Sequence, residues 1–582
     1  MSEYQRYSGR VGDLQPEAGH SVVLGGVPLP ALARLLVQLV YDRPQTIFVT
    51  VPTALMAEDL AGDLGFFWPE GQGRVNLFPA PEAKPFLAQS TSPDALALRQ
   101  WALTHLAADD SPRLVVAPAA SVLKMAPEPT EAAARRRLIQ VGAEVDLEDL
   151  KHFLTQNGYT AVGQVESRGD FSARGDIVDI FPAGQPLPVR VELFGDFVES
   201  IRSFRIEDQR SVDRLESLLL APASDFAYEP EGGAQAADRL EALAVENGWH
   251  GLLWEPLADK LRRAETFSGL ESWAPLFAPA VPLGLCLGRS RSLIYEPEEC
   301  RKAGEAAWLG LSNHFERLAL EERPHLPLDE LYLPPDQALA ALQTSGGWRA
   351  RQLELPEPAD PAAKFVKIPV ELNSNLKADL SSGRGGAGFL GPLAARVRSL
   401  LGRGFETHLV SRSAEQSRRL AEMLAEYDLA ASGGLKGKNV AAGSLSLDLG
   451  QLSEGFAVDF DKAAYIAEDE IFGARGRSRT RRPASDFKGL SFAGLKDLSP
   501  GDYVVHNVHG IAQYQGLVTL QLSYGQKGDF LHLVYKGGDK LYVPVELFNA
   551  VGKYVGAGDR APGLDKLGGL TWGKLKEKVK EN

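Results

Sequence analysis

Gly25-Gly26 close the apolar run Ser21-Val22-Val23-Leu24 and lead through Val27-Pro28 into a helical pattern starting at Leu29, which is where a parallel α/β fold places a phosphate-binding loop. That chemistry needs a lysine for the phosphates and a hydroxyl for magnesium at the start of the helix, and Leu29-Pro30-Ala31 supply neither. The reading is a nucleotide loop degenerated to Gly25 and Gly26. The run Gly568-Gly569-Leu570-Thr571-Trp572-Gly573-Lys574-Leu575 has the glycine spacing and the lysine of such a loop but ends on Leu575. No further domain is expected after it, so the match is read as coincidence. His506 and His509 have a spacing found among metal ligands, with His532 the other histidine nearby; turn and core positions account for them, and no metal is expected. Cys286 and Cys300 are too few for a disulfide framework or a cysteine zinc site. Neither a catalytic residue nor a cofactor is expected in this chain.

Binding chemistry concentrates between Arg168 and Phe204, in RGDFSARGDIVDIFPAGQPLPVRVELFGDFVESIRSF. In Val189-Arg190-Val191-Glu192-Leu193-Phe194 the period of two puts Val189, Val191 and Leu193 on one face and Arg190, Glu192 and Phe194 on the other. A turn at Gly195-Asp196 returns the chain through Phe197-Val198-Glu199-Ser200-Ile201, leaving Phe194 at a hairpin end where its own small sheet cannot readily bury it. An exposed aromatic beside an arginine is the composition of an interface anchor. The competing reading is that a neighbouring domain covers this face. The Arg-Gly-Asp tripeptides at Arg168 and Arg174 are read as turn and strand residues, because nothing else points to an extracellular protein.

The elements that hold these residues follow from length and periodicity. At 582 residues, and roughly 150 per domain, the chain holds about four domains. Strands at 21–24, 46–51 and 114–117 alternate with helices at 29–41 and 54–64, giving a parallel α/β layer over 1–120. A helix at 147–157, capped by Asp146 and ended by Gly158, opens a module at 121–220 that reads as an insertion. Residues 221–356 return to mixed helix and strand, with Trp249, Trp254, Trp273 and Trp308 as bulky apolar surface. The hinge Leu355-Pro356-Glu357-Pro358-Ala359-Asp360-Pro361 precedes a small α/β domain at 364–468, with helices at 393–401 and 414–427 around a strand at 406–410. Ser411-Arg412-Ser413, at its strand-to-helix turn, reads as a plain N-cap in preference to an anion site. A linker at 469–494 carries five arginines in Ala474-Arg475-Gly476-Arg477-Ser478-Arg479-Thr480-Arg481-Arg482-Pro483 with no aromatic among them. It reads as solvated, with contact to nucleic-acid phosphates as the alternative.

From 495 to 556 the spacing changes to short β runs at 503–506, 510–514, 516–522, 530–535 and 540–544, as in a small barrel. Between Lys496 and Arg560 six basic residues stand against six acidic ones, which suits protein docking better than clamping DNA. A lysine-rich, helix-prone tail occupies 557–582. The net charge of -14 likewise favours protein partners over a nucleic-acid groove. No apolar run approaches the ~20 residues of a membrane span and the N-terminus lacks a signal-peptide core, so a soluble, cytoplasmic chain is expected.

RGDIVDIFP followed by VRVELFGDFVESIR resembles the UvrA-binding module shared by the excision-repair helicase UvrB and the transcription-repair coupling factors. The resemblance implies that Arg174, Arg190 and Phe194 stand where that module grips UvrA. GDYVVHNVHGIAQYQG and LVYKGGDKLYVPV resemble the RNA-polymerase-interacting, Tudor-like domain of the coupling factors, related to CarD-type regulators. This implies docking on the polymerase β subunit at Leu520, through pairing of strand edges with apolar support. The two signatures in this order point to the coupling-factor family, because UvrB lacks the barrel and CarD regulators lack the UvrB-like half.

The implied fold is α/β multidomain. A degenerate helicase-like, UvrB-like parallel domain in two parts holds an inserted α+β UvrA-binding module, followed by a small α/β domain and a C-terminal Tudor-like barrel. UvrB carries a long damage-probing hairpin where this chain has a short Pro-rich connection from Phe78 to Leu98, so direct lesion recognition is not expected. The implied function is that of an adaptor joining RNA polymerase to UvrA. In the family a long helix and two superfamily-2 motor domains follow the barrel, using ATP and magnesium to translocate on DNA and displace a stalled polymerase. The sequence is expected to stop before them, with DNA contacted chiefly through that motor. A C-terminal domain of the family masks the UvrA surface until polymerase is engaged, so constitutive UvrA binding is expected here. The alternatives are a UvrB-like damage-recognition ATPase and a CarD-like transcription regulator; the latter needs a promoter-DNA surface that the sequence does not locate.

Overall fold

The structure is a computed structural model that describes most of residues 14–353, 363–472 and 501–553. The Pro-rich hinge at 355–361, the arginine linker at 474–483 and the tail at 557–582 lie outside the described residues. The chain divides into two compact units, Met1–Arg475 and Gly476–Asn582.

In the first unit the strands expected at 21–24, 46–51 and 114–117 form as Ser21–Gly25, Ile47–Val51 and Leu114–Pro118. Ile47–Val51 is buried at every position, as a parallel strand covered on both faces must be. The helices between them run Leu29–Asp42, with Pro30 in the first turn, and Ala54–Phe67, capped by the Thr53 hydroxyl accepting from the Met56 N–H at 3.2 Å. The sheet has seven strands, all parallel, in the order Lys364–Lys367, Ser21–Gly25, Gly347–Arg351, Arg291–Tyr295, Ile47–Val51, Leu114–Pro118, Val75–Leu77. Lys364–Lys367, read from sequence as part of the following domain, is the edge strand here. The connection after Phe78 is also shorter than expected, because Ser92-Pro93 starts a helix, Pro93–Ala108, in which the Ser92 hydroxyl accepts from the Ala95 N–H at 3.3 Å.

The segment from Arg137 to Leu220 builds a second layer. Six strands lie in the order Ser211–Leu215, Phe197–Phe204, Val189–Phe194, Ile177–Ile180, Asp170–Arg174, Thr160–Ala161, antiparallel except for the last pair. One face buries Val178, Ile180, Val189, Val191, Leu193 and Ile201 against Leu150 and Leu154 of the helix Leu147–Gln156 and against the strand pair Arg137–Gln140 and Ser217–Leu220. Asp146 caps that helix, accepting from the Asp149 N–H at 2.7 Å. The module is tied to the parallel layer at Asp225, which is buried and accepts from the Lys124 ammonium at 2.7 Å and from Gln100. Burial alone would raise the Asp225 carboxyl; Lys124, Arg99 and Arg135 together hold it below its ordinary value.

The third sheet runs Val370–Leu372, Phe456–Val458, Ala463–Ala467, Glu406–Ser411, Leu445–Leu449, Ser432–Gly433. Alternate residues of Ala463–Ala467 go to different cores. Ala464 and Ile466 join Val397, Leu400, Leu420 and Leu424 of the helices Gly391–Gly402 and Ala414–Ala425. Ala463, Tyr465 and Ala467 instead share a core with the helices Leu29–Asp42 and Ala54–Phe67. Arg34 pairs with Asp461 and Tyr465 across this contact, and buried Asp63 accepts from the Ser453 N–H at 2.7 Å and its hydroxyl at 2.5 Å.

The second unit holds an antiparallel sheet in the order Lys540–Pro544, Lys527–Val534, Gly510–Gln521, Tyr503–His506, Val551–Lys553. Val504, Ala512, Tyr514, Leu531, Leu533 and Val543 form its core. The runs expected at 510–514 and 516–522 are one strand, because Gly516, at φ 118, marks a register shift rather than a turn. Among the described residues the two outer strands do not pair with each other, so the expected barrel is described as an open sheet.

Candidate functional site

The strand Val189–Phe194 alternates as its sequence predicts: Val189, Val191 and Leu193 are buried, Arg190 and Glu192 are half-buried, and Phe194 is 78% exposed. Neighbouring strands extend the outward face. Register sets Arg190 opposite Asp179 on one side and Arg202 on the other, with Arg202 opposite Arg214. The next row runs from Arg174 through Ile177 and Glu192 to Ser200. Arg174, Arg190 and Phe194 therefore lie on one face of one sheet, the two arginines two strands and two residues of register apart, about 12 Å.

Phe194 stands opposite Phe197 across the turn Gly195-Asp196, where Gly195 takes φ 59. Glu199 is the extra residue of a bulge, since Glu192 pairs with Ser200 and Leu193 with Val198. Both rings stay open at the hairpin tip, Phe197 at 56% exposure.

Arg190 is held from several sides. Its Nε and Nη2 donate to the two oxygens of Asp179 at 2.7 and 2.8 Å, and its guanidinium lies over the Phe204 ring at 4.8 Å. The hydrogen bond to Asp179 outweighs partial desolvation and raises the Arg190 pKa, so its charge is permanent. Arg202 lies 3.2 Å from Glu192, which also accepts the Ser200 hydroxyl at 2.6 Å. Arg174 is exposed and donates to the Gly163 carbonyl. Among the described residues Arg174 and Arg214 have no carboxylate partner, so this face carries a basic excess.

At the other sequence-derived positions the chain meets its own needs. The Gly26 N–H donates to the Leu353 carbonyl at 3.3 Å and the Val27 N–H to the Arg351 carbonyl at 2.9 Å. A Cβ on Gly25 would lie 2.7 Å from the Phe365 ring. The N–H groups that could cradle a phosphate there are thus committed to main-chain carbonyls. Ser413 is the N-cap it was read as, accepting from the Gln416 N–H at 3.3 Å, and the Arg412 N–H beside it donates to Glu468 at 3.0 Å. His532 stacks on Tyr542 with centroids 4.9 Å apart, whereas His509 lies outside the described residues. Cys286 and Cys300 are buried and unpaired with each other; burial pushes the Cys286 thiol up to about 12 and raises Cys300 too. Among the described residues no group of His, Cys, Asp and Glu is placed to hold a metal ion, and no helix is long and apolar enough to cross a membrane.

Leu520 lies on the strand Gly510–Gln521, opposite Gly528; its side chain is outside the described residues. Positions 516–521 of that strand pair with Lys527–Val534 on one side, while Tyr503–His506 reaches only positions 510–513 on the other. Among the described residues the segment around Leu520 is therefore a strand edge.

A family model for the UvrB interaction domain matches residues 138–226, and one for the CarD-like/TRCF RID domain matches residues 498–555. Proteins named transcription-repair-coupling factor align along nearly the whole chain. The one from Bacillus subtilis is 29% identical over 96% of this chain and 47% of its own length. That from Myxococcus xanthus is 31% identical over 90% and 45%, and that from Haemophilus influenzae 25% identical over 98% and 48%. Over the aligned length the chain is similar to the transcription-repair-coupling factors. It spans about half the length of these curated relatives.

The first family match, residues 138–226, contains the whole outward face described above. Alternation placed Arg190 and Phe194 on this face and the family resemblance named Arg174, while Asp179, Phe204, Gln209 and Phe197 were missed as their neighbours. Phe197 was within reach, since the expected turn already set it opposite Phe194. Asp179 was not, because parity assigns a face but only strand register assigns a neighbour.

Proposed function

We propose that this chain is the adaptor part of a transcription-repair-coupling factor: it docks on the RNA polymerase β subunit through the C-terminal sheet and recruits UvrA through the outward face of the 138–226 module. The observation that carries this reading is the meeting of Arg174, Arg190 and Phe194 on one outward face, with Phe194 at 78% exposure. A large ring held open beside arginines has the composition of an interface hot spot, where a partner pocket buries the ring and acceptor groups meet the guanidinium groups. The polymerase contact is assigned to Leu520 because its strand offers a free edge to which a partner strand can add, and Leu517 on the same edge is exposed.

Translocation on DNA, ATP and magnesium belong in this proposal to the whole protein. The degenerate loop at Gly25 and Gly26, its N–H groups bonded to Leu353 and Arg351, offers no support for nucleotide hydrolysis by this chain. The UvrA surface is taken to be available without polymerase.

Calorimetric titration of this chain with purified UvrA tests the reading. Micromolar or tighter binding, weakened by more than ~2 kcal/mol when Arg190→Ala and Phe194→Ala are combined, is the expected result. Absence of binding, or equal binding by the double variant, contradicts it. Steady-state ATPase assays with and without DNA are expected to give background rates.

A further inference from the structure

We propose that Asp179, Phe204 and Gln209 form a socket that presets Arg190 for its partner, with Asp179 the positioning residue of the site; this rests on the reading of the face as the UvrA surface. Asp179 lies opposite Arg190 in register and grips the Nε and Nη2 side of the guanidinium with both oxygens. At 16% exposure its carboxylate is itself held in place. Phe204 is fully buried and supplies a fixed floor under the guanidinium. Gln209 closes a third side. It sits in the left-handed region at φ 58, ties its amide nitrogen to the Ile206 carbonyl at 3.0 Å, and sets its oxygen 3.5 Å from Nη2.

The socket leaves one nitrogen over. Among the described residues Nη1 donates to no acceptor, so the free edge of the guanidinium is the one that contains it. An arginine on an open sheet face would lose rotamer freedom on binding, and here that loss is taken on folding. Asp179 also neutralises the charge it holds, so Arg190 itself presents directed donors with little net charge of its own. The partner group that fits is a carboxylate or main-chain carbonyl, recognised by geometry more than by long-range attraction. Asp179 does not compete with that group, because the two use different edges of the fork.

The test is a double-mutant cycle on UvrA binding, using the unmodified chain, Asp179→Asn, Arg190→Ala and both together, with thermal unfolding of each. Asp179→Asn should weaken binding about tenfold while Arg190 is present and less than about twofold once Arg190 is alanine, with no change in unfolding temperature. A separate surface variant, Gln209→Ala, should weaken binding about threefold and keeps the question open to decision if Asp179→Asn unfolds. Binding by Asp179→Asn equal to or tighter than the unmodified chain, or the same loss in both Arg190 backgrounds, overturns the proposal. Failure of the unmodified chain to bind UvrA overturns the reading of the face itself, and the socket with it.

Discussion

Replacing Phe194 and replacing its neighbour Leu193 should have opposite consequences, because the strand turns one outward and the other into the core. A phenylalanine fully covered removes roughly 200 Å² from water. Phe194 is already 78% exposed, so most of that area is left for a partner to cover. At ~25 cal/mol per Å² the ~150 Å² still open is an upper limit of about 4 kcal/mol. The costs of association reduce the share realised in binding to roughly 2–3 kcal/mol. Phe194→Ala should therefore weaken UvrA binding by about 30- to 150-fold while shifting folding stability by less than ~0.5 kcal/mol. Leu193 is 6% exposed among Val178, Val191 and Val198, and its truncation should cost roughly 2–5 kcal/mol of folding free energy. Calorimetry reports the first effect, and hydrogen exchange across residues 189–204 reports the second within a chain of several domains. Loss of exchange protection in Phe194→Ala, or unchanged UvrA affinity, would refute the assignment of faces to functions.

Asp225→Asn should destabilise the joint between the parallel layer and the 138–226 module by roughly 3–5 kcal/mol, because it leaves the buried Lys124 ammonium without its carboxylate; denaturant melts check this, and a cost under ~1 kcal/mol contradicts it. Burial raises Glu470 from 4.5 to about 7, against the Ala467 and Gly455 N–H groups that favour its charged form, so the folded state holds a proton the unfolded state releases. Its contribution is complete below about 4.5 and is lost as pH rises through about 7, a change of at most about 3 kcal/mol. Glu470→Gln should then melt with the unmodified chain at pH ~4.5 and above it at pH ~8, and parallel melting across that range would contradict the burial argument. Cys286 and Cys300, buried and with raised thiol pKa values, should resist a disulfide reagent in the native chain and react on unfolding; rapid native labelling would contradict their burial.

Much of the local structure was legible because its causes are local. The alternation in Val189–Phe194 gave the two faces, Asp146 and Gly158 bounded their helix, and Ser413 gave its cap. What escaped depends on residues distant in sequence. Arg291–Tyr295 and Gly347–Arg351 enter the first sheet between Ser21–Gly25 and Ile47–Val51, and no periodicity in either segment announces that order. Ala463–Ala467 is apolar at every position because it serves two cores, so alternation could not divide its residues between them. Gly516 reads as a turn in sequence and acts as a bulge within one long strand. At the candidate site, alternation placed Phe194 on the exposed face, whereas the pairing of Asp179 with Arg190 needed strand register.

The adaptor reading requires one chain to hold two proteins at once. Immobilised RNA polymerase incubated with UvrA, with and without this chain, measures that requirement directly. The account predicts that UvrA is retained only when the chain is present, and that retention falls with Leu520→Arg, which blocks the strand edge, or with Arg190→Ala and Phe194→Ala together. Retention unaffected by both sets of changes, or no retention when the chain is supplied, would contradict it.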